Sequence, residues 1–172
     1  MERILIIGCP GAGKSTLARQ MAQKLGIPLV HLDAMFWLPG WVERDKGEFD
    51  GLLLEELTKP NWIIDGNYSR TLATRLEYCD TVIFLDFSTA ACLRGVLKRV
   101  LSNRGKVRAD MGPGCPERFD FKFLQYVRNF RRTSRDKLMA KLDATPPQVT
   151  RIVLRNRRQV TAFLASLPTH EK

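Results

Sequence analysis

The octapeptide Gly8-Cys9-Pro10-Gly11-Ala12-Gly13-Lys14-Ser15 satisfies the pattern G-x-x-x-x-G-K-[ST], and its flanks restrict the fold further. Residues 4–7 form an apolar, β-branched run that stops at Gly8. From Ser15 onward Leu17, Ala18, Met21, Ala22 and Leu25 recur at helical spacing. Strand, glycine loop and helix in this order make a cradle for phosphate. The glycines let backbone N–H groups turn inward, the helix N-terminus adds a favourable dipole, Lys14 can reach β- and γ-phosphates, and the Ser15 hydroxyl can ligate Mg2+. Gly8, Gly11, Ala12, Gly13, Lys14, Ser15 and Thr16 are therefore the expected nucleotide-binding residues, with ATP and Mg2+ as ligands. Cys9 reads as a small residue filling space inside the loop.

The remaining chain repeats the alternation. Apolar runs at residues 28–32, 62–64, 82–85 and 151–154 read as strands, and helical patterns fall at 49–57, 70–78, 90–101 and 119–142, with one more after the last strand. Such alternation implies right-handed crossovers and a parallel sheet covered on both faces. The expected class is α/β, a three-layer P-loop NTPase fold with five parallel strands. At 172 residues, 44% of them hydrophobic, the chain suffices for one core, and residues 1–172 are expected to form one domain. Functional groups gather at the carboxyl ends of strands in such sheets, where Gly8, Asp33, Asp65 and Asp86 all fall.

No apolar run approaches the roughly 20 residues needed to cross a bilayer, and Met1-Glu2-Arg3 leads straight into a strand, so a cytoplasmic protein with no membrane partner is expected. Cys9, Cys79, Cys92 and Cys115 lack the paired spacing of zinc or redox motifs and read as reduced thiols. His31 lies in an apolar strand and reads as a core histidine or a partner of a functional group; His170 belongs to the terminal tail. The net charge of +10 is regional: residues 94–158 hold 18 Lys/Arg against 5 Asp/Glu, the rest 10 against 13. A cleft that closes over several phosphates needs such cations, and so does a nucleic-acid surface.

Asp65 and Asp86, each ending a strand, compete to hold Mg2+ through water. Asp33 can orient an acceptor, take its proton or hold a metal-bound water, with a plain turn carboxylate as the alternative. Phe36, Trp37 and Trp41 offer a wall for a planar acceptor or pins that fix the loop to the core, the second being favoured. Residues 33–60 are thus the expected acceptor segment. Residues 103–118 hold a Gly/Pro-containing loop bracketed by Arg99, Arg104, Arg108 and Arg118, the pattern of a short lid that brings guanidinium groups over a transferring phosphate. Arg128, Arg131, Arg132 and Arg135 follow at spacings that let several share one helix side, which costs stability unless an anion is near.

Taken together, the loop at 8–15 and the stretches Asp65-Gly66-Asn67-Tyr68-Ser69-Arg70-Thr71 and Gly114-Cys115-Pro116-Glu117-Arg118-Phe119 resemble the bacterial DNA-topology-modulation (FlaR-type) proteins, over nearly the whole chain. More distantly the chain is similar to adenylate kinase, whose third strand also ends in Asp-Gly followed shortly by Arg-Thr. That second resemblance implies the strand order 2-3-1-4-5, which sets the third strand beside the first and favours Asp65 over Asp86 for Mg2+. It also implies that Arg70 contacts an acceptor phosphate, that Arg99 stands at the lid entrance, and that Arg128 and Arg132 reach the transferred group. The implied catalytic set is Lys14, Asp33, Arg99, Arg128 and Arg132, and the acceptor set Asp33, Trp37 and Arg70. The expected activity is transfer of the γ-phosphoryl group of Mg-ATP to a nucleotide or other small acceptor; the alternative is a nucleotide-regulated nucleic-acid-binding protein.

Overall fold

A computed structural model of the chain describes residues 1–169, and His170 lies outside them. Strand β1 (Arg3–Gly8) leads through the glycine loop into α1 (Lys14–Leu25), followed by β2 (Leu29–His31) and α2 (Leu32–Phe36). A hairpin of β3 (Trp37–Leu38) and β4 (Val42–Glu43) precedes α3 (Lys46–Leu57), β5 (Trp62–Asp65), α4 (Leu72–Tyr78) and β6 (Thr81–Leu85). Next come α5 (Thr89–Asn103), a long connection, and α6 (Phe121–Phe130). A π-helical stretch (Arg131–Arg135), α7 (Asp136–Asp143), β7 (Thr150–Leu154) and α8 (Arg157–Ser166) complete the order.

The main sheet runs β2-β5-β1-β6-β7 with every neighbouring pair parallel, which is the expected 2-3-1-4-5 order once the hairpin is set aside. Ile4, Leu5, Ile6 and Ile7 are wholly buried, as are Trp62, Ile63 and Ile64, because a parallel sheet covered by helices needs apolar residues on both faces. Ile6 lies opposite Asp65 and Gly8 opposite Leu85, so Asp65, the glycine loop and Asp86 leave the sheet at one edge. Helix α1 buries Leu17, Ala18 and Met21 and stops at Gly26, whose φ of 67° favours glycine.

Three segments differ from the sequence reading. Leu32, expected to end the second strand, and the loop expected after it form one helical turn and a hairpin across residues 32–43, both too short to give a periodic signal. Tertiary contact fixes the hairpin: Gly40 N–H donates to the Gly114 carbonyl (3.1 Å) and Cys115 Sγ to that of Leu38 (3.2 Å). The helix expected from 119 begins at Phe121, because the Asp120 side chain caps it by accepting from Phe123 N–H. The connection after α5 folds back on itself, with Gly105 N–H donating to Glu117 (3.1 Å) and Glu117 N–H to Lys106 (2.9 Å). Among the described residues, no helix is long and apolar enough to cross a membrane.

Candidate active site

The loop between β1 and α1 sets Gly11, Gly13, Lys14, Ser15 and Thr16 along one side of a cleft of about 840 Å³. Gly13 caps α1 at a φ of 97°, leaving the helix N-terminus open toward that space. Gly11 and Gly95 of α5 meet backbone to backbone: a Cβ at Gly11 would fall on the Cys92 carbonyl, and one at Gly95 on the Gly11 carbonyl. Lys14 Nζ folds back to donate to the carbonyls of Gly8 (2.9 Å) and Cys9 (3.4 Å). Burial pushes its pKa below the ordinary lysine value, while the Asp65 and Asp33 carboxylates pull it back up. Two of the expected binding residues, Gly8 and Ala12, stay out of the cleft wall. Gly8 donates its N–H to Asn67 Oδ1 (3.0 Å), and buried Ala12 closes a turn onto the Cys9 carbonyl (3.1 Å).

Of the two competing strand-end acids, only Asp65 enters the cleft, where His31 Nδ1 lies 2.5 Å from its Oδ1. His31 is thus a partner of that carboxylate. Asp86 is taken up elsewhere: Arg135 grips it through Nε (2.8 Å) and a terminal nitrogen (2.7 Å), and Arg131 lies 3.4 Å away. Asp33 sits in the first turn of α2 and lines the cleft. Burial raises its pKa; the Tyr68 hydroxyl, which donates to Oδ1 at 2.8 Å, and the charge of Lys14 oppose that rise. Tyr68 holds a φ of 29°, unusual for a side-chain-bearing residue, and its ring is wedged between Phe36 (5.0 Å) and Phe49 (5.4 Å).

Under this turn lies Arg75, fully buried on α4. Its guanidinium donates to the carbonyls of Gly66 (2.9 Å), Asn67 and Tyr68 (2.9 Å), and burial lowers its pKa to about 10. One arginine therefore fixes the three residues that join Asp65 to Tyr68.

The arginines divide sharply. Arg99 lines the cleft, its Nε 3.1 Å from Glu117 Oε2 and its guanidinium 5.4 Å from the Phe123 ring centroid. Burial lowers its pKa, and neighbouring Arg108 adds to that effect. Arg108 joins the same wall, 2.7 Å from Glu117 and 2.8 Å from Asp110. By contrast Arg128 and Arg132 are exposed and lie outside the cleft. Val127, Arg131 and Arg135 form the row facing the sheet, and each of the other two follows that row by one residue, a rotation of about 100° toward solvent.

Arg70 is also outside the cleft, its two terminal nitrogens on Asp50 at 2.6 and 2.7 Å, with both side chains nearly half exposed. The turn that aims Tyr68 inward sends Arg70 out toward α3. An exposed pair of this kind contributes little to stability, so Arg70→Ala is expected to leave both melting temperature and turnover nearly unchanged. A collapse in acceptor affinity in a steady-state assay would instead restore an acceptor-phosphate role. Trp37 serves as a pin: its ring packs edge-on against Phe36 (5.1 Å) and Trp41 (5.5 Å), and its carbonyl lies against Gly112.

The structure adds cleft residues that the sequence did not single out. Arg19 stands one turn beyond Ser15 on α1, a spacing that could have flagged it. Asp110 and Arg157 come from a loop and from the start of a distant helix, and no local signal marks them.

Comparison with known proteins agrees with this fold. The family model of the ATPase family associated with various cellular activities (AAA) matches residues 4–86, just under half of the chain, from β1 to the end of β6. Shikimate kinase of Corynebacterium glutamicum is 37% identical over 57 residues, covering 33% of this chain and 30% of that enzyme's length. Among solved structures, shikimate kinase from Acinetobacter baumannii in complex with shikimate aligns over 96% of this chain and 89% of its own, at 17% identity and a TM-score of 0.61. Shikimate kinase from Bacteroides thetaiotaomicron aligns over 95% and 94%, at 20% identity and a TM-score of 0.51. The chain therefore has the α/β P-loop NTPase fold that shikimate kinases share.

Proposed function

We propose that the chain is an ATP-dependent phosphotransferase that moves the γ-phosphoryl group of Mg-ATP to a hydroxyl of a small molecule. The observation that carries this reading is the presence of Lys14, Asp65 and Asp33 in one cleft with Arg99 and Arg108 on its wall. Gly11, Gly13, Lys14, Ser15 and Thr16 hold the nucleotide phosphates, with Lys14 swinging from the Gly8 carbonyl to the β- and γ-phosphates. Ser15 directly, and Asp65 through water, suit Mg2+, which takes oxygen ligands and needs few from protein when phosphates supply the rest. Bound there, Mg2+ would offset charge on the phosphates. Asp33 takes the proton of the acceptor hydroxyl on the oxygen that Tyr68 leaves free, as that hydroxyl oxygen bonds to phosphorus and the bond to ADP breaks. Arg99 and the segment at 103–118 cover the reacting phosphate, and residues 33–60 line the acceptor side.

A neutral or weakly charged hydroxyl compound suits this cleft better than a nucleoside monophosphate. The arginine expected on an acceptor phosphate, Arg70, points away, and Asp33, Asn67 and Tyr68 present oxygen- and amide-rich surface in its place. The shikimate kinase similarity supports a small-molecule acceptor of this kind. The convergence of Arg19, Arg99, Arg108 and Arg157 on the cleft supports phosphate handling over the nucleic-acid alternative and the DNA-topology role that goes with it.

The deciding experiment measures ADP production from Mg-ATP across a panel of small hydroxyl metabolites and nucleoside monophosphates, with Asp33→Asn alongside. Acceptor-stimulated turnover that disappears in Asp33→Asn is the expected result. No stimulation by any acceptor, together with DNA binding that falls steeply with salt, would favour the alternative.

A further inference from the structure

Ser15 and Arg19 are four residues apart on α1, so their side chains rise from one face of the helix. Across the cleft from that face stands Asp110, carried by the segment between α5 and α6. Asp110 is 6% exposed, its carboxylate bonded to Arg108 at 2.8 Å and 3.9 Å from Arg19. Burial disfavours its charge, and the charge of Arg108 together with the nearby Ser15 hydroxyl holds its pKa below the ordinary carboxylate value. The local backbone holds it there: Met111 N–H donates to the Arg108 carbonyl (3.1 Å), and Arg108 is itself anchored on Glu117 at 2.7 Å.

Arg108 offsets part of the charge of Asp110, but the carboxylate still has the wrong sign for a wall that receives a triphosphate. Close to phosphate oxygens in a cleft shielded from water, it repels them and works against closure. A divalent cation between the two groups inverts that relation, because it attracts both. The residues present suit such a cation. The Ser15 hydroxyl and the carboxylates of Asp65 and Asp110 are all hard oxygen donors on one cleft, and Mg2+ retains most of its water, so few protein ligands suffice.

We infer that Asp110 is directed at the Mg2+ position beside Ser15, so that the 104–117 segment closes over Mg-ATP and stays open over metal-free ATP. This rests on the reading of the cleft as a Mg-ATP site. Asp110 thereby makes the cation a condition for closure, and nucleotide that arrives without it leaves the reacting groups open to water.

The test is calorimetric titration of the full chain with ATP, once with Mg2+ and once with EDTA, for wild type, Asp110→Asn and Lys14→Ala. Asp110→Asn is expected to narrow the ratio of the two affinities by about tenfold, chiefly through tighter binding of metal-free ATP. An unchanged ratio overturns the inference. Wild type that binds ATP under neither condition overturns the nucleotide-site reading itself, which Lys14→Ala gauges separately. Hydrogen exchange on the wild type supplies a readout that no misfolded variant can confuse. Residues 104–117 should gain protection with Mg-ATP and little with ATP in EDTA; equal protection in both overturns the inference.

Discussion

Replacing Lys14 by alanine is expected to abolish measurable phosphoryl transfer while leaving the fold intact. The side chain has two successive jobs. Without nucleotide it ties the loop together through the Gly8 and Cys9 carbonyls, and it lies among carboxylates that favour its charged form. With nucleotide the same ammonium is the loop's only side-chain cation, at the point where charge develops on the transferring group. Loss of one such preorganised donor lowers kcat by about 100- to 1,000-fold, and loss of a full charge in a shielded cleft belongs at the upper end. The stability cost is small, because Lys14 is only partly buried and water can satisfy the two carbonyls it leaves. Steady-state ADP formation and thermal unfolding on the same preparation check both halves. Turnover within tenfold of wild type would mean that this loop is not the phosphate site.

The second large effect is on stability and falls on a residue that touches no ligand. Arg75→Met keeps the length of the side chain and removes its donors, leaving the buried Gly66 carbonyl and the part-buried one of Asn67 without the partner they have now, while that of Tyr68 keeps the N–H of Thr71 (3.1 Å). Each buried carbonyl without a partner costs about 1–3 kcal/mol, so a loss of roughly 3 kcal/mol follows. For a chain of this size that corresponds to a fall in melting temperature of about 10 °C. Lysine is a poor substitute, because only the planar guanidinium presents its donors as a fork that can serve several carbonyls together. Calorimetric unfolding measures the effect, and a shift of less than about 2 °C would show that the turn holds itself. Turnover should fall as well, since Asp65 and Tyr68 stand at the two ends of the released turn.

What could be read in the sequence was what depends on neighbours in the chain. The strand at 4–7, the glycine loop and the helix from Lys14 are contiguous, and each has a strong local signal, so this strand–loop–helix unit was legible, whereas the placing of Gly8 and Ala12 outside the cleft wall was not. Asp65 could be preferred to Asp86 because strand order follows from the fold, and the structure gives the cleft to the first and a pair of arginines to the second. The roles of the arginines at 128–135 were not legible. A periodic pattern shows that Arg128, Arg131, Arg132 and Arg135 belong to one helix, but which row faces the sheet depends on how Val127 and Phe130 pack. Arg70 and Arg75 show the same limit. Both follow Asp65 within a short stretch of chain, and only the direction of the intervening turn and of α4 sends one to solvent and the other beneath the site.

The contact between Gly11 and Gly95 bears on how such a molecule can move. With no side chain between them, the phosphate loop and the middle of α5 have nothing to compress or repack, so they form one stiff block with the sheet edge. Motion must then be absorbed farther out, where α5 ends at Asn103 and α6 begins at Phe121. The segment between those two stems is small, and its far side is fastened to the hairpin through Gly40 and Gly114. In the proposed reaction, release of product would turn on how fast that clasp and the Arg99–Glu117–Arg108 chain let go, and substitutions there would change the pace of the cycle without touching the bond that is made or broken.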